Sequence, residues 1–245
     1  MTDCTVHKSF EVRAARPERM TRESPFSYAC GRCSRCCHHK GISLNPYEVL
    51  RLARHEGLTT TEFISRFTDT AGTQLRRRAD GACVFLTAQG CGVHADRPLV
   101  CRIYPLGRHI GPEDEETFSE LEPHPETEGR YGTEATIRGY LESQGAGPYL
   151  QAADRYLNLF RAMADILFEQ VGSLAPSERE AVGQRFVPPE EATTFDAEWL
   201  DVDRAVDDYC RERGLDKPED PGQLMELHLE ALTMWSSNLT EKEKP

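Results

Sequence analysis

Four cysteines within eight positions, Cys30-Gly31-Arg32-Cys33-Ser34-Arg35-Cys36-Cys37, constrain this chain more than any other feature. A C-x-x-C turn brings two sulfurs together, and Gly31 eases the tight backbone after the first of them. Cys36, three residues beyond Cys33, completes C-x-x-C-x-x-C, the spacing by which one loop places three thiolates around an iron–sulfur cluster. A fourth ligand must then come from elsewhere. Cys37 follows Cys36 directly, and adjacent side chains tend to diverge, so it reads as part of a second centre or as a supporting thiol. Cys83, Cys91 and Cys101 form a second set, with His94 three residues after Cys91. They supply three more sulfurs and an imidazole, enough to complete one site and begin another.

Nine cysteines in 245 residues invite a disulfide reading. A chain this long buries a core without staples, however, and its first twenty residues lack the apolar run of a secretory leader. We therefore expect a cytoplasmic protein whose thiols stay reduced or bind metal. Cys4 stands alone near the terminus. Cys210 shares a helical side with Val206 and Tyr209, so packing is its expected role. No apolar run approaches the roughly 20 residues of a membrane span.

The net charge of −12 is unevenly placed. Residues 1–110 hold 17 Lys and Arg against 10 Asp and Glu, while the remainder holds 12 against 31. The basic half contains eight of the nine cysteines. Arg32, Arg35, His38, His39, Lys40, Arg97, Arg102 and Arg108 lie near them in sequence. Cations so placed offset the negative charge that several thiolates leave on one site. The acidic total, with no aromatics interleaved among the basic residues, argues against nucleic acid as a partner.

The expected organisation has three parts: an N-terminal arm at 1–25, a cysteine module at 26–132 and a helical region at 133–245. Asn45-Pro46-Tyr47-Glu48 starts a helix that Gly57 ends, and Thr59 with Glu62 opens a second through Phe67. Cys83–Leu86 reads as a short strand, and Asp96-Arg97-Pro98 introduces a helical turn carrying Cys101. Residues 111–132, with the run Glu113-Asp114-Glu115-Glu116, read as a loop with a solvated acidic face. Helices are expected over Thr133–Ser143, Tyr149–Val171, Ser177–Arg185, Val202–Arg213 and Pro221–Leu239. The fold class is mainly α: a small irregular cysteine-rich module with a few short strands, plus a helical C-terminal body.

The segments CGRCSRCCHHKGISLNPYEVLRLARHEG, GACVFL and GCGVHADRPLVCRIYPL together resemble the YkgJ-type CxxCxxCC family of zinc- or iron-chelating domains. The resemblance spans roughly residues 26–110. It implies metal ligation by Cys30, Cys33, Cys36, Cys37, Cys83, Cys91 and Cys101, with an RPxxCRxxP signature at Arg97, Pro98, Cys101, Arg102 and Pro105. Members of the family commonly carry an eighth cysteine after that signature. Here the loop reads Leu121-Glu122-Pro123-His124-Pro125, so His124 is a candidate nitrogen donor beside His94. Flagellin lysine-N-methylases carry a related module, which favours an iron–sulfur cluster, of the 4Fe-4S type, over zinc. The methylase activity itself is not implied, because no glycine-rich loop for S-adenosylmethionine accompanies the module.

Three functional readings follow. The first is an iron–sulfur protein serving redox chemistry or the modification of a protein or peptide. The second is a structural zinc module for protein–protein interaction, and the third is metal storage or delivery. A Walker loop, a nucleophile elbow and an H-E-x-x-H pair are all absent from the sequence. The hydroxyl of Tyr104, between Cys101 and Pro105, is a possible visitor to the centre.

Overall fold

Capping residues set the helix boundaries. Asn45 accepts from the Glu48 amide at 3.0 Å while the Glu48 carboxylate accepts from the Asn45 amide at 2.9 Å. This reciprocal box, with Pro46 in the first turn, starts α1 (Pro46–His55). Thr59 and Glu62 repeat it for α2 (Thr60–Phe67). The structure, a computed structural model, describes residues 19–69, 73–111, 113–173 and 197–241, with the side chains of 166–173, 197–198 and 237–241 also left aside. Among the described residues there are seven α-helices and six short strands, so the mainly α expectation holds.

The chain divides into two compact units, Met1–Ile42 with Arg76–Gly147, and Ser43–Leu75 with Pro148–Pro245. The first contains three two-stranded antiparallel sheets. β1 (Pro25–Ala29) pairs with β6 (Arg130–Thr136), β2 (Leu86–Thr87) with β3 (Gly90–Cys91), and β4 (Leu106–Ile110) with β5 (Glu116–Glu120). The unit also holds α3 (Leu99–Arg102) and α4 (Ile137–Ser143). Phe26, Ile103, Leu106, Phe118, Ile137 and Leu141 are each no more than 3% exposed and supply its apolar interior.

Residues 111–132 are not a plain loop. Phe118 is fully buried in β5, and Glu116 is paired with Arg22 at 2.5 Å and Arg108 at 2.6 Å. Burial opposes ionisation of Glu116, but these two guanidiniums hold its carboxyl below the usual range. One member of the acidic run is thus neutralised within the fold. Thr133–Thr136 belong to β6 rather than to a helix, and α4 begins only at Ile137, with Thr136 as its cap. Of the expected strand at Cys83–Leu86, only Leu86 lies in β2, and Cys83 makes a single bridge to Arg77. The part of the expected arm that is described is tied down, since Met20 exchanges backbone hydrogen bonds with Phe118.

The second unit contains α1, α2, α5 (Gly147–Ser173, entered from the first unit's last residue), α6 (Val202–Arg213) and α7 (Pro221–Glu241). Leu50, Val202, Val206, Cys210 and Leu224 form one buried cluster, and Cys210 packs as expected at 5% exposure. Asp201 caps α6, and Gly214 closes it at φ 64°. On α5, Tyr149, Ala152 and Tyr156 are buried. The side chains of Ile166 and Leu167 and the helix expected at Ser177–Arg185 lie outside the described residues. None of the described helices is long and apolar enough to cross a membrane.

Candidate metal centre

The first cysteine set lies on irregular backbone. Arg32, Ser34 and His39 adopt left-handed φ of 57°, 61° and 56°. Each costs an L-residue on the order of 1 kcal/mol, and three within eight residues mark a loop held in shape by its surroundings. Those surroundings are on view. The 3-10 turn Arg35–Cys37 is closed by Cys37 N–H donating to Ser34 O at 2.9 Å, and His38 Nδ1 lies 3.1 Å from the same oxygen. His39 N–H donates to Gly81 O at 2.9 Å, and Cys83 N–H donates to Cys37 O at 2.8 Å. The last bond joins the two cysteine sets directly. Gly31 has a steric reason to be glycine: a Cβ there would lie 2.4 Å from the Glu128 carbonyl oxygen. Arg35 pairs with Glu126 at 3.0 Å in the same loop.

The second set is placed by short regular pieces. β2 and β3 set Cys91 opposite Leu86, and α3 carries Cys101, whose amide donates to Pro98 O at 3.0 Å. Backbone amides point at the sulfurs. Arg32 N–H donates to Cys30 Sγ at 3.4 Å, while the amides of Phe85 and Val93 donate to Cys83 and Cys91. In each case the donor is two residues beyond the cysteine. Amides so aimed favour the thiolate, the form that ligates metal.

Five thiols interact with one another: Cys36, Cys37, Cys83, Cys91 and Cys101. Cys36 Sγ and Cys37 Sγ lie 4.0 Å apart, so the turn brings these adjacent side chains to the same side. The hydrogen bond between the two sulfurs, in which either can donate, lowers Cys36 and raises Cys37. Burial, then the neighbouring thiolates of Cys83, Cys36 and Cys91, push Cys101 up to about 12. Burial likewise raises Cys83 and Cys91. A set of thiols that cannot all ionise without a cation is the donor chemistry that suits a thiophilic metal. Lys40 supplies part of the compensation. Burial lowers its pKa, Cys36, Cys101 and Cys37 act in the opposite sense, and its Nζ sits 3.7 Å above the centre of the Tyr104 ring.

Cys30 is exposed and Cys33 half-buried, and both act on a group of tyrosines. Tyr28 stacks edge-on against Tyr104, Tyr131 and Tyr140 with centroids 5.9, 4.9 and 6.4 Å apart. Burial raises the pKa of Tyr104, and the thiols of Cys36, Cys33 and Cys30 add to the rise after its hydrogen bond to Tyr131 has opposed it. Tyr104 packs within this aromatic group, with Lys40 over its ring. Tyr28, Tyr131 and Tyr140 had no signal in the sequence, because β1, β6 and α4 bring them there.

Both candidate histidines have hydrogen-bond partners close in sequence. His94 is exposed, with Nδ1 3.3 Å from Arg97 Nη1, and burial followed by Arg97, Arg102 and Arg32 lowers its pKa. His124 Nδ1 accepts from the Glu126 amide at 3.1 Å and shapes the loop that faces Gly31. Among the described residues, no three or more Cys, His, Asp or Glu side chains stand together so that they could hold a metal ion.

Residues 29–124 match the model of a family described as "CxxCxxCC: Putative zinc- or iron-chelating domain". The matched segment contains all seven cysteines of the two sets and ends on His124. The likeness to that family is confined to this segment, and no curated protein and no solved structure matches the chain.

Proposed function

We propose that this domain holds an iron–sulfur cluster of the 4Fe-4S type, serving redox chemistry or the modification of a protein or peptide. One observation carries the reading: five thiols interact with one another while both candidate imidazoles are engaged elsewhere. All-sulfur donors suit iron–sulfur clusters, whereas zinc sites readily recruit histidine. Cys36, Cys83, Cys91 and Cys101 are the proposed principal ligands. Cys37 is hydrogen-bonded to the first of them, and Cys30 and Cys33 complete the supply. Bound there, the cluster would supply one-electron chemistry. The amides aimed at Cys30, Cys83 and Cys91, and the charge of Lys40, are the chain's means of setting its potential.

A structural zinc site is the second reading, favoured by the irregular loop with its three left-handed residues, which a closed metal site would help hold. Anaerobic purification followed by iron, sulfide and zinc analysis separates the two. Brown protein absorbing near 400 nm, with iron and sulfide in equal amounts, is the expected result. Colourless protein holding stoichiometric zinc overturns the cluster in favour of zinc. Protein free of both metals overturns each reading.

A further inference from the structure

We infer that Gln144, twenty residues beyond the matched segment, is a positioning residue of the metal centre and that α4 is the centre's outer wall. The inference rests on the proposed function for its metal and on the geometry that follows for the rest.

Arg97 and Arg102 flank Cys101 and invite the reading that they serve the sulfurs by charge alone. Their hydrogen bonds show a second task. Arg97 donates through Nη2 to Gln144 Oε1 at 2.8 Å and through Nη1 to His94 O at 2.6 Å. Arg102, 7% exposed, donates through Nη1 to Gln144 O at 2.8 Å and through Nη2 to Ala95 O at 2.7 Å. Both guanidiniums therefore bridge the 3-10 turn that follows Cys91 to a single residue, the C-cap of α4. The Tyr140 hydroxyl donates to Tyr104 O at 2.6 Å, fixing the segment just after Cys101 to the same helix.

The placement has an electrostatic logic. The C-terminal end of a helix presents unpaired carbonyls that favour cations, so α4 holds two guanidiniums close together although they repel one another. Gly145, at φ 60°, turns the chain away, and a Cβ there would reach 3.7 Å from Arg102 Nη1. Arg97 in turn senses Cys91 and Cys101. The order of action runs from Gln144 to the arginines and from them to the orientation and charge environment of Cys91 and Cys101. Outer partners of this kind change metal affinity by about 10–100-fold when removed, and Gln144 belongs at the lower end because it acts through an arginine.

The test uses the full chain and Gln144→Ala, which deletes the Arg97 contact but leaves the backbone contact to Arg102. Zinc affinity is measured by competition with a chromophoric chelator, alongside thermal melting and the alkylation rate of Cys101 by iodoacetamide in the metal-free protein, with Cys210 as the internal standard. The expected result is a loss of zinc affinity of about tenfold with unchanged melting, faster Cys101 alkylation, and recovery in Gln144→Glu, which restores an acceptor oxygen. Wild-type affinity and wild-type alkylation in Gln144→Ala overturn the inference. If the wild type binds neither zinc nor iron, the proposed function fails, and Cys101 alkylation alone decides the positioning role. If Gln144→Ala does not fold, Tyr140→Phe, lacking only a hydroxyl, is read by the same measurements: faster Cys101 alkylation supports the wall, and an unchanged rate overturns it.

Discussion

Acidification should destabilise the helical unit through one residue, His228 on α7. It is fully buried; its Nδ1 lies 2.8 Å from the Tyr156 hydroxyl, and its Nε2 has no hydrogen-bond partner. Burial pushes its pKa down from 6.5 to about 3. Between these values the unfolded chain binds a proton that the folded chain refuses, so stability is intact above about pH 6.5 and falls as the pH drops towards about 3. At about 1.4 kcal/mol per pH unit, the loss at about pH 4.5 is roughly 2–3 kcal/mol. That is a large share of the 5–15 kcal/mol typical of a domain. Urea unfolding at about pH 7.5 and about pH 4.5, compared between wild type and His228→Phe in the same metal state, isolates the effect. Acid-sensitive thiols lie in the other unit and cancel in the difference. The pH-induced loss should shrink by roughly 2–3 kcal/mol in the variant. Equal losses in both proteins would refute the reasoning, whatever the variant's absolute stability.

Three other outcomes follow. Asp203 accepts from Arg54, the Thr60 amide at 2.8 Å and Lys217 at 2.9 Å, and although burial opposes ionisation these donors hold its carboxyl well below the usual range. Its stabilisation is present above the unfolded carboxylate value and lost only below it, beneath the pH of about 4.5 at which the His228 effect is read. Asp203→Asn should cost about 2–3 kcal/mol in urea unfolding at neutral pH, with Arg54 and Lys217 left facing an amide. Gly31→Ala should weaken metal binding by at least about tenfold in the chelator competition, because the obstructing atom is a backbone oxygen that cannot swing away. Cys101→Ser should abolish stoichiometric metal in elemental analysis, whereas Cys210→Ala should cost about 1 kcal/mol of stability and leave the metal content unchanged.

What could be read from the chain alone was what depends on residues a few positions apart. The Asn45–Glu48 and Thr59–Glu62 boxes work within one turn, so the starts of α1 and α2 were legible, as were the spans of α6 and α7 to within a few residues. The cysteine spacing, too, is local chemistry, and it announced a metal-binding module before any fold was known. The strands at 116–120 and 130–136 were not legible. Their partners lie 6 to 14 residues away in β4 and about a hundred away in β1, and a strand is stable only against its partner. For the same reason only tertiary structure could turn Glu116 from a surface acid into a paired one and gather Tyr28, Tyr104, Tyr131 and Tyr140. Gly31 was recognised for its backbone freedom, but its neighbour Glu128 supplies the constraint. Sequence determined which atoms are able to hold a metal. Long-range pairing joined the two cysteine sets through the Cys83–Cys37 backbone bond, and it set Gln144, outside every motif, against Arg97 and Arg102.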